Sequence, residues 1–504
     1  MLSWKHVAII PVGTLFLALS LTIALRNDVP DYDECVYCDI AKNISRTGLP
    51  QRSWGGLSLY TIHPPLYEYL GALLYVLHIG SLLTMRLLST AASLSTVLLT
   101  YWLGTAVRNS RVGFLAACIT AVNGYFAAYS HSVYSEPTAT ALYALSMCLF
   151  LRAEQRESPW LWGASGIAVG LGFLAKYLGL FLVAAYVSYM LTRPLQLKER
   201  FRRLACVLLP AAIPVVLWFL VLSAVNWRAG VMQFRTLMNL AQHGSVVDMR
   251  SGLTVGRFAV LTVQWIGMCW ALSGVVVTAS ALRFFRTGAT TRDAFLVVPT
   301  VFVLLLTVAM FRSGIKELRH FIVAVPFVSL TIAAGAADLC TWLTTRFPRR
   351  NLVKHMFSVT AAVLVVAASV NLLSWNKVPV LGTWVKSRYV MRLYPPPDPY
   401  REIGRFVREI TPPGEVVTAV RGGPMVCFHS DRPYDMLYLR RFHGVRNVLG
   451  RSRVVVRDGR FGRELDLLHL SPEEKREIDR ILSRDFGVVH KVGDIEVLVR
   501  QEGR

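Results

Sequence analysis

Charge is scarce in this 504-residue chain, and negative charge scarcer still. Only 17% of its residues are charged, and 31 Asp and Glu stand against 54 Lys and Arg, a formal net charge of +23. With 54% hydrophobic residues and a mean hydropathy of +0.45, the composition excludes an ordinary soluble domain and makes the bilayer the main solvent. Nucleic-acid binding is excluded too, because the basic residues are spread over short loops and no binding module is present. Loops on the cytoplasmic side and anionic lipid headgroups account for the surplus of positive charge. Eight cysteines do not make a disulfide framework. Cys118, Cys148, Cys206, Cys269 and Cys340 lie in apolar stretches, where Cys is a small hydrophobe, and Cys427 stands alone near the C-terminus.

Apolar stretches are abundant. A spanning helix needs about 20 mostly apolar residues, and such segments recur at Val7–Leu25, Met85–Val107, Gly113–Ser130, Thr138–Leu151, Trp160–Ala175 and Leu178–Thr192. More follow at Leu204–Val225, Leu253–Leu282, Ala294–Phe311, Phe321–Leu339 and Met356–Leu373. The pattern predicts a polytopic α-helical membrane protein with about eleven spans. The first segment reads as a real span, since its apolar stretch exceeds a signal-peptide core and no small-residue cleavage site stands before Arg26. Basic residues fix the orientation. Lys5, Arg108 with Arg111, Arg152 with Arg156, the run Arg193–Arg203, Arg283–Arg292 and Arg346–Lys354 share the cytoplasmic side, provided that Leu66–Leu83 does not cross. That segment carries Glu68 and His78 and follows two prolines, so it is expected to be interfacial or re-entrant. The outer face then receives the first loop, residues 26–84, the link His131–Pro137, the turn at Lys176–Tyr177, the loop Asn226–Gly252, the link Arg312–His320 and the tail.

The chain divides into a transmembrane domain, residues 1–386, and a small extracytoplasmic α/β domain, residues 387–504. Within the second, Pro395-Pro396-Pro397-Asp398-Pro399 forms a stiff connector ahead of a charged, mixed-pattern segment. Helical spacing at Tyr400–Ile410, a buried-strand pattern at Glu415–Val420, a capped helix start at Ser471-Pro472-Glu473-Glu474 and two paired strands at Phe486–His490 and Ile495–Val499 define that domain. It has no Gly-rich phosphate loop, and no catalysis is assigned to it.

The polar residues that stand out lie in the outer loops. Asp31-Tyr32-Asp33-Glu34 precedes a short amphipathic helix pattern, with Cys35 and Cys38 in Cys-x-x-Cys spacing. That pair reads as two small buried residues or as a local disulfide. His63-Pro64-Pro65-Leu66 follows, then Glu136 before Pro137, then Lys176 at the end of an apolar helix. Each has a plain structural reading: Asp33 as a helix cap, Glu136 as a first-turn acid favoured by the helix dipole, Lys176 as a snorkelling cation, and His63 as a turn residue. Arg319 and His320 read likewise as positional charges at a helix end.

The order of these motifs, with Phe173-Leu174-Ala175-Lys176-Tyr177 and Lys316-Glu317-Leu318-Arg319-His320-Phe321, resembles the GT-C superfamily of membrane glycosyltransferases. Within it, the likeness is to the protein mannosyltransferase and lipid A aminoarabinose transferase group, glycosyltransferase family 39 and its bacterial relatives. The likeness covers the first two hundred residues well and the later motif more weakly. It implies transfer of a sugar from a polyprenyl-phosphate carrier to a lipid, glycan or protein acceptor at the extracytoplasmic face. On that likeness Asp33 is the base or acceptor-orienting carboxylate, with Glu34 beside it and Glu136 supporting the same pocket. His63, Lys176, Lys316, Arg319 and His320 are the candidates to bind the donor phosphate. Whether a divalent cation, Mg or Mn, is held by Asp33, Glu34 and Glu136 is left open. A lipid or solute transporter is the alternative, but such proteins carry ionisable groups near the midplane and internal repeats, whereas the charges here gather at helix ends. The topology predicts that a Ser135→Cys variant reacts with a membrane-impermeant thiol reagent from the same side as a cysteine placed in the tail; labelling from opposite sides would break the shared outer site.

Overall fold

The computed structural model describes residues 9–26, 29–54, 57–60, 63–243, 294–312, 318–346, 398–419, 422–437, 442–458 and 471–501. The expected spans Leu253–Leu282 and Met356–Leu373, the 386/387 boundary and Lys316 lie outside them. In chain order come α1 (Ile9–Arg26), α2 (Tyr32–Thr47), the hairpin β1 (Gln51–Arg52) and β2 (Ser58–Leu59), α3 (Leu66–Val76), α4 (Leu82–Val107), α5 (Ser110–Val122), α6 (Gly124–Tyr129) and α7 (Ser135–Arg156). Then follow α8 (Pro159–Ala175), α9 (Gly179–Thr192), α10 (Leu197–Val225), α11 (Trp227–His243), α12 (Val297–Arg312), a 3₁₀ helix at Leu318–Ala324 and α13 (Val325–Arg346). The C-terminal elements are α14 (Pro399–Ile410), β3 (Val417–Ala419), α15 (Gly423–Ser430), β4 (Tyr434–Met436), α16 (Phe442–Arg451), β5 (Val454–Arg457), α17 (Pro472–Asp485), β6 (Phe486–Val492) and β7 (Ile495–Arg500).

Every expected span within the described residues is helical, and the chain carries a multi-pass helical membrane fold. By length and composition α1, α4 and α10 are each sufficient to cross a bilayer. Exposed Leu209, Ile213, Leu217 and Leu220 lie along one face of α10, a surface suited to hydrocarbon rather than water. The expected span at Gly113–Ser130 is interrupted at Asn123, whose backbone is extended and closes α5. Segment Leu66–Leu83 does not form one long helix. Helix α3 stops at Val76, His78 adopts φ 59°, and 11 residues reach only about 16 Å, too short to span.

Two compact units are present. The first comprises Met1–Arg26, Thr61–Tyr67 and Arg86–Leu393. Its α8 and α10 pack backbone to backbone, because a Cβ on Gly166 would sit 2.2 Å from the Val207 carbonyl oxygen, and one on Gly170 would sit 2.3 Å from that of Ala211. A polar knot ties α7, α8 and α9: Ser146 Oγ lies 2.7 Å from the Tyr186 hydroxyl and 3.0 Å from Ser165 Oγ. At the last turn of α7, buried Glu154 accepts from Trp162 Nε1 at 2.9 Å and Tyr189 OH at 3.2 Å, and pairs with Arg203 of α10 at 3.3 Å. Each buried polar group here has an interhelical partner, as an apolar solvent demands.

The second unit comprises Asn27–Tyr60, Glu68–Met85 and Tyr394–Arg504, so the start of the first outer loop belongs with the tail. Five strands form one mixed sheet in the order β4-β3-β5-β7-β6. β3 runs parallel to β4 and β5, and β7 pairs antiparallel with β5 and β6. Strand alternation sends Val454, Val456 and Val497 to one face with Ile403 and Val407 of α14, and Val455 and Leu498 to the other with Ile478 and Leu482 of α17. The expected helix start at Ser471 is a full capping box with Glu474.

Helix α2 packs on α15 of this sheet domain. Its N-cap is Asp31, whose Oδ1 accepts from Asp33 N at 3.1 Å and Glu34 N at 3.0 Å, while Glu34 Oε2 accepts from Asp31 N at 3.1 Å. Gly48 closes the helix at φ 74°, a left-handed position that suits glycine. Cys35 and Cys38 are free thiols, 0% and 2% exposed. The disulfide reading therefore gives way to the packing one. Burial is the main influence pushing the Cys35 thiol well above its ordinary pKa, and neighbouring Cys38, Asp31 and Glu34 add to it. The thiolate is therefore disfavoured at neutral and mildly alkaline pH, so folded protein in detergent should resist maleimide at Cys35 and Cys38 and react after denaturation. Fast labelling of the folded state at either position would contradict the buried placement.

Candidate active site

The first turn of α7 and the end of α8 build an ion cluster inside the first unit. Pro137, the third helical residue of α7, has no N–H to donate, and the helix opens without a side-chain cap at Tyr134. Glu136 sits in this turn, where the helix dipole favours a carboxylate. Lys176 leaves α8 in extended conformation. The Tyr143 hydroxyl secures this exit by donating to the carbonyls of Lys176 at 2.5 Å and Gly172 at 3.0 Å. Glycine is required at 172, since a Cβ there would fall 2.5 Å from the Tyr143 ring.

Lys176 Nζ then donates to Glu136 Oε1 at 2.9 Å, with the two side chains 8% and 1% exposed. His320 Nδ1, from the 3₁₀ helix, lies 3.1 Å from the same oxygen. Three residues drawn from three separate sequence motifs thus meet on one carboxylate. Lys176 is a buried partner of Glu136 rather than a snorkelling cation. His63 contributes a different contact: its carbonyl accepts from Gln233 Nε2 of α11 at 3.3 Å, and Gln233 Oε1 accepts from Trp218 Nε1 of α10 at 2.9 Å. Lys316 and the Arg319 side chain lie outside the described residues.

Asp33 and Glu34 lie in the second unit. Glu34 is 1% exposed and serves the capping box. Asp33 is half-buried in the same turn, whose N-cap is Asp31. Near it lies the Tyr60 phenol, which burial, the largest influence, pushes well up in pKa; Arg52 opposes this, and Glu68, Asp33 and Tyr32 reinforce it. Glu68, completely buried at the start of α3, and Tyr60 are polar members of this neighbourhood that motif reading passed over. The signal for Glu68 was a lone acid in an otherwise apolar segment directly after Pro64-Pro65.

Among the described residues no group of three or more His, Cys, Asp or Glu is arranged to hold a metal ion. One oxygen of Glu136 is taken by the Lys176 ammonium.

Part of the sequence, and the fold, have matches in known proteins. Residues 62–218, which hold His63, Glu136 and Lys176, fit the family described as dolichyl-phosphate-mannose-protein mannosyltransferase. ArnT from Cupriavidus metallidurans, solved bound to undecaprenyl phosphate, has the same fold with a TM-score of 0.68 at 14% identity, covering 98% of this chain and 98% of that one. The chain shares the ArnT fold. AglB, the Archaeoglobus fulgidus oligosaccharyltransferase, solved with an inhibitory peptide and a dolichol-phosphate, matches it at a TM-score of 0.61 and 13% identity over 99% of this chain and 75% of that one. The arabinofuranosyltransferase AftD from Mycobacteria matches at 0.55 and 12% identity, over 99% of this chain and 40% of that one. A search of curated protein sequences gives no match. The likeness to these solved structures is thus one of fold.

Removing one member of a buried ion pair strands the other, at a cost of about 3–5 kcal/mol. Glu136→Ala should therefore lower the thermal stability of the protein in detergent, and adding Lys176→Met should recover much of that loss. A double variant as unstable as the single one would show that the pair is not what Glu136 stabilises.

Proposed function

We propose that the protein transfers a glycosyl group from a polyprenyl-phosphate carrier to an acceptor hydroxyl at the extracytoplasmic face of the membrane. The observation that carries this reading is the buried Lys176–Glu136–His320 cluster within a GT-C fold. Buried ionisable groups in a membrane protein are costly and are usually functional. Lys176 and His320 are the groups assigned to the donor phosphate, together with His63, Lys316 and Arg319. Glu136 holds Lys176 and His320 in place, and its charge balances the Lys176 ammonium before the phosphate arrives. The ligands of two similar solved structures, undecaprenyl phosphate on ArnT and dolichol-phosphate on AglB, are of the class this site would take.

Asp33 is assigned to the acceptor. The acceptor oxygen attacks the anomeric carbon as the bond from that carbon to the phosphate oxygen breaks. The bonding electrons leave on the polyprenyl phosphate, and the acceptor proton passes to the Asp33 carboxylate. Positive charge near the phosphate stabilises the leaving group, and an ammonium in a water-poor site does so more strongly than in bulk. Glu34, committed to the capping box, orients the turn that carries Asp33. A leaving group with a lipid tail requires its phosphate at the membrane boundary, and the outer-loop positions expected for these residues support that reading.

The test is sugar release by purified protein from a panel of polyprenyl-phosphate sugars, with membrane extract as the acceptor source. Asp33→Asn should reduce turnover by about 10²–10⁴-fold, the range for loss of a general base. Native turnover in Asp33→Asn would overturn the catalytic assignment.

A further inference from the structure

The geometry points to Arg52 as a positioning residue through which the C-terminal α/β domain sets the catalytic turn at Asp33; this rests on the reading of Asp33 as the base. Arg52 is 6% exposed and permanently charged, and a guanidinium is not buried without several partners. Its partners come from both ends of the chain. Nε donates to the Tyr434 hydroxyl, a contact spanning 382 residues of sequence, and Nη2 donates to the Tyr32 hydroxyl at 3.1 Å. The guanidinium also lies 5.3 Å from the Trp54 ring centroid and 5.5 Å from that of Tyr434. Tyr32 immediately precedes Asp33, and its hydroxyl further donates to Met436 Sδ at 3.4 Å.

The backbone repeats the same connection. Tyr434 N donates to the Ser53 carbonyl at 2.8 Å, and Trp54 bridges Tyr434 in parallel, so the first loop extends the sheet at its β4 edge. Trp54 Nε1 donates to Asp435 Oδ1 at 3.0 Å. Farther along α2, Lys42 pairs with Asp431 at 2.5 Å, though both partners are substantially exposed and the pair adds little. Arg52 is the element of this seam that reaches the turn of Asp33 itself, through Tyr32. The tail domain thereby acts on catalysis: through Arg52 it fixes the first turn of α2.

A displaced base is expected to slow chemistry and leave donor binding intact. Arg52→Gln, assayed per folded molecule, should lower kcat by about tenfold or more while KM for the lipid donor stays within about twofold. Arg52→Lys should rescue only partly, because one ammonium cannot reproduce the fork to Tyr32 and Tyr434. Placed in the Asp33→Asn background, Arg52→Gln should cost nothing further, since its effect runs through Asp33. Lys491→Ala, on the distal β6–β7 hairpin, controls for general damage to the domain and should keep native kcat. Native kcat in Arg52→Gln, or the same fold-loss in the Asp33→Asn background, would overturn the positioning role. Native turnover in Asp33→Asn alone would overturn the base assignment, and this inference with it.

Discussion

Glu136 cannot be buried alone. A carboxylate in the interior of a membrane protein needs compensating positive charge and hydrogen bonds, or it does not stay ionised. Lys176 supplies the charge at 2.9 Å and His320 a second contact at 3.1 Å, and much of the surrounding architecture follows from keeping these three together. Tyr143 holds the carbonyls at the end of α8 so that Lys176 emerges toward α7. Gly172 leaves room for that tyrosine, and the glycines at 166 and 170 bring α8 against α10. At the opposite end of α7, Glu154 is enclosed by Trp162, Tyr189 and Arg203. One helix is thus fastened at both ends by buried carboxylates. The Glu154 end joins helices to each other, while the Glu136 end gathers residues that chemistry can use.

The second unit solves a different problem. A 16-residue helix is marginal by itself in water. Here α2 is capped by Asp31, closed by Gly48 and packed on α15, and the strand that follows it is joined to the edge of the tail sheet. Early loop and late domain form one folded body. The tail need not carry catalytic residues to matter for catalysis.

The helical segments were legible because hydrophobic runs of the required length leave few alternatives, and the break of Leu66–Leu83 into a short helix was legible from Glu68, His78 and the paired prolines. The GT-C likeness was legible from the order of short motifs. Local capping was partly legible: Ser471 and Glu474 were read as a helix start, whereas Asp31 was grouped with a catalytic acidic cluster when its carboxylate is the N-cap and Glu34 completes the box. Long-range pairing was not legible. Nothing local links Arg52 to Tyr434 across 382 positions, or distinguishes a snorkelling Lys176 from one that turns inward to Glu136. Those choices are decided by tertiary packing, which spacing along one segment does not encode.

The central claim is that Lys176 and its neighbours receive the lipid phosphate. Binding of polyprenyl phosphate without a sugar, measured by native mass spectrometry on detergent-purified protein, tests it most directly, because the product is free of acceptor and sugar identity. The account predicts a bound lipid on the native chain and at least about tenfold weaker binding in the folded Glu136→Gln/Lys176→Met variant, as expected when a charge-assisted phosphate contact is lost. Equal occupancy on the two proteins would contradict it.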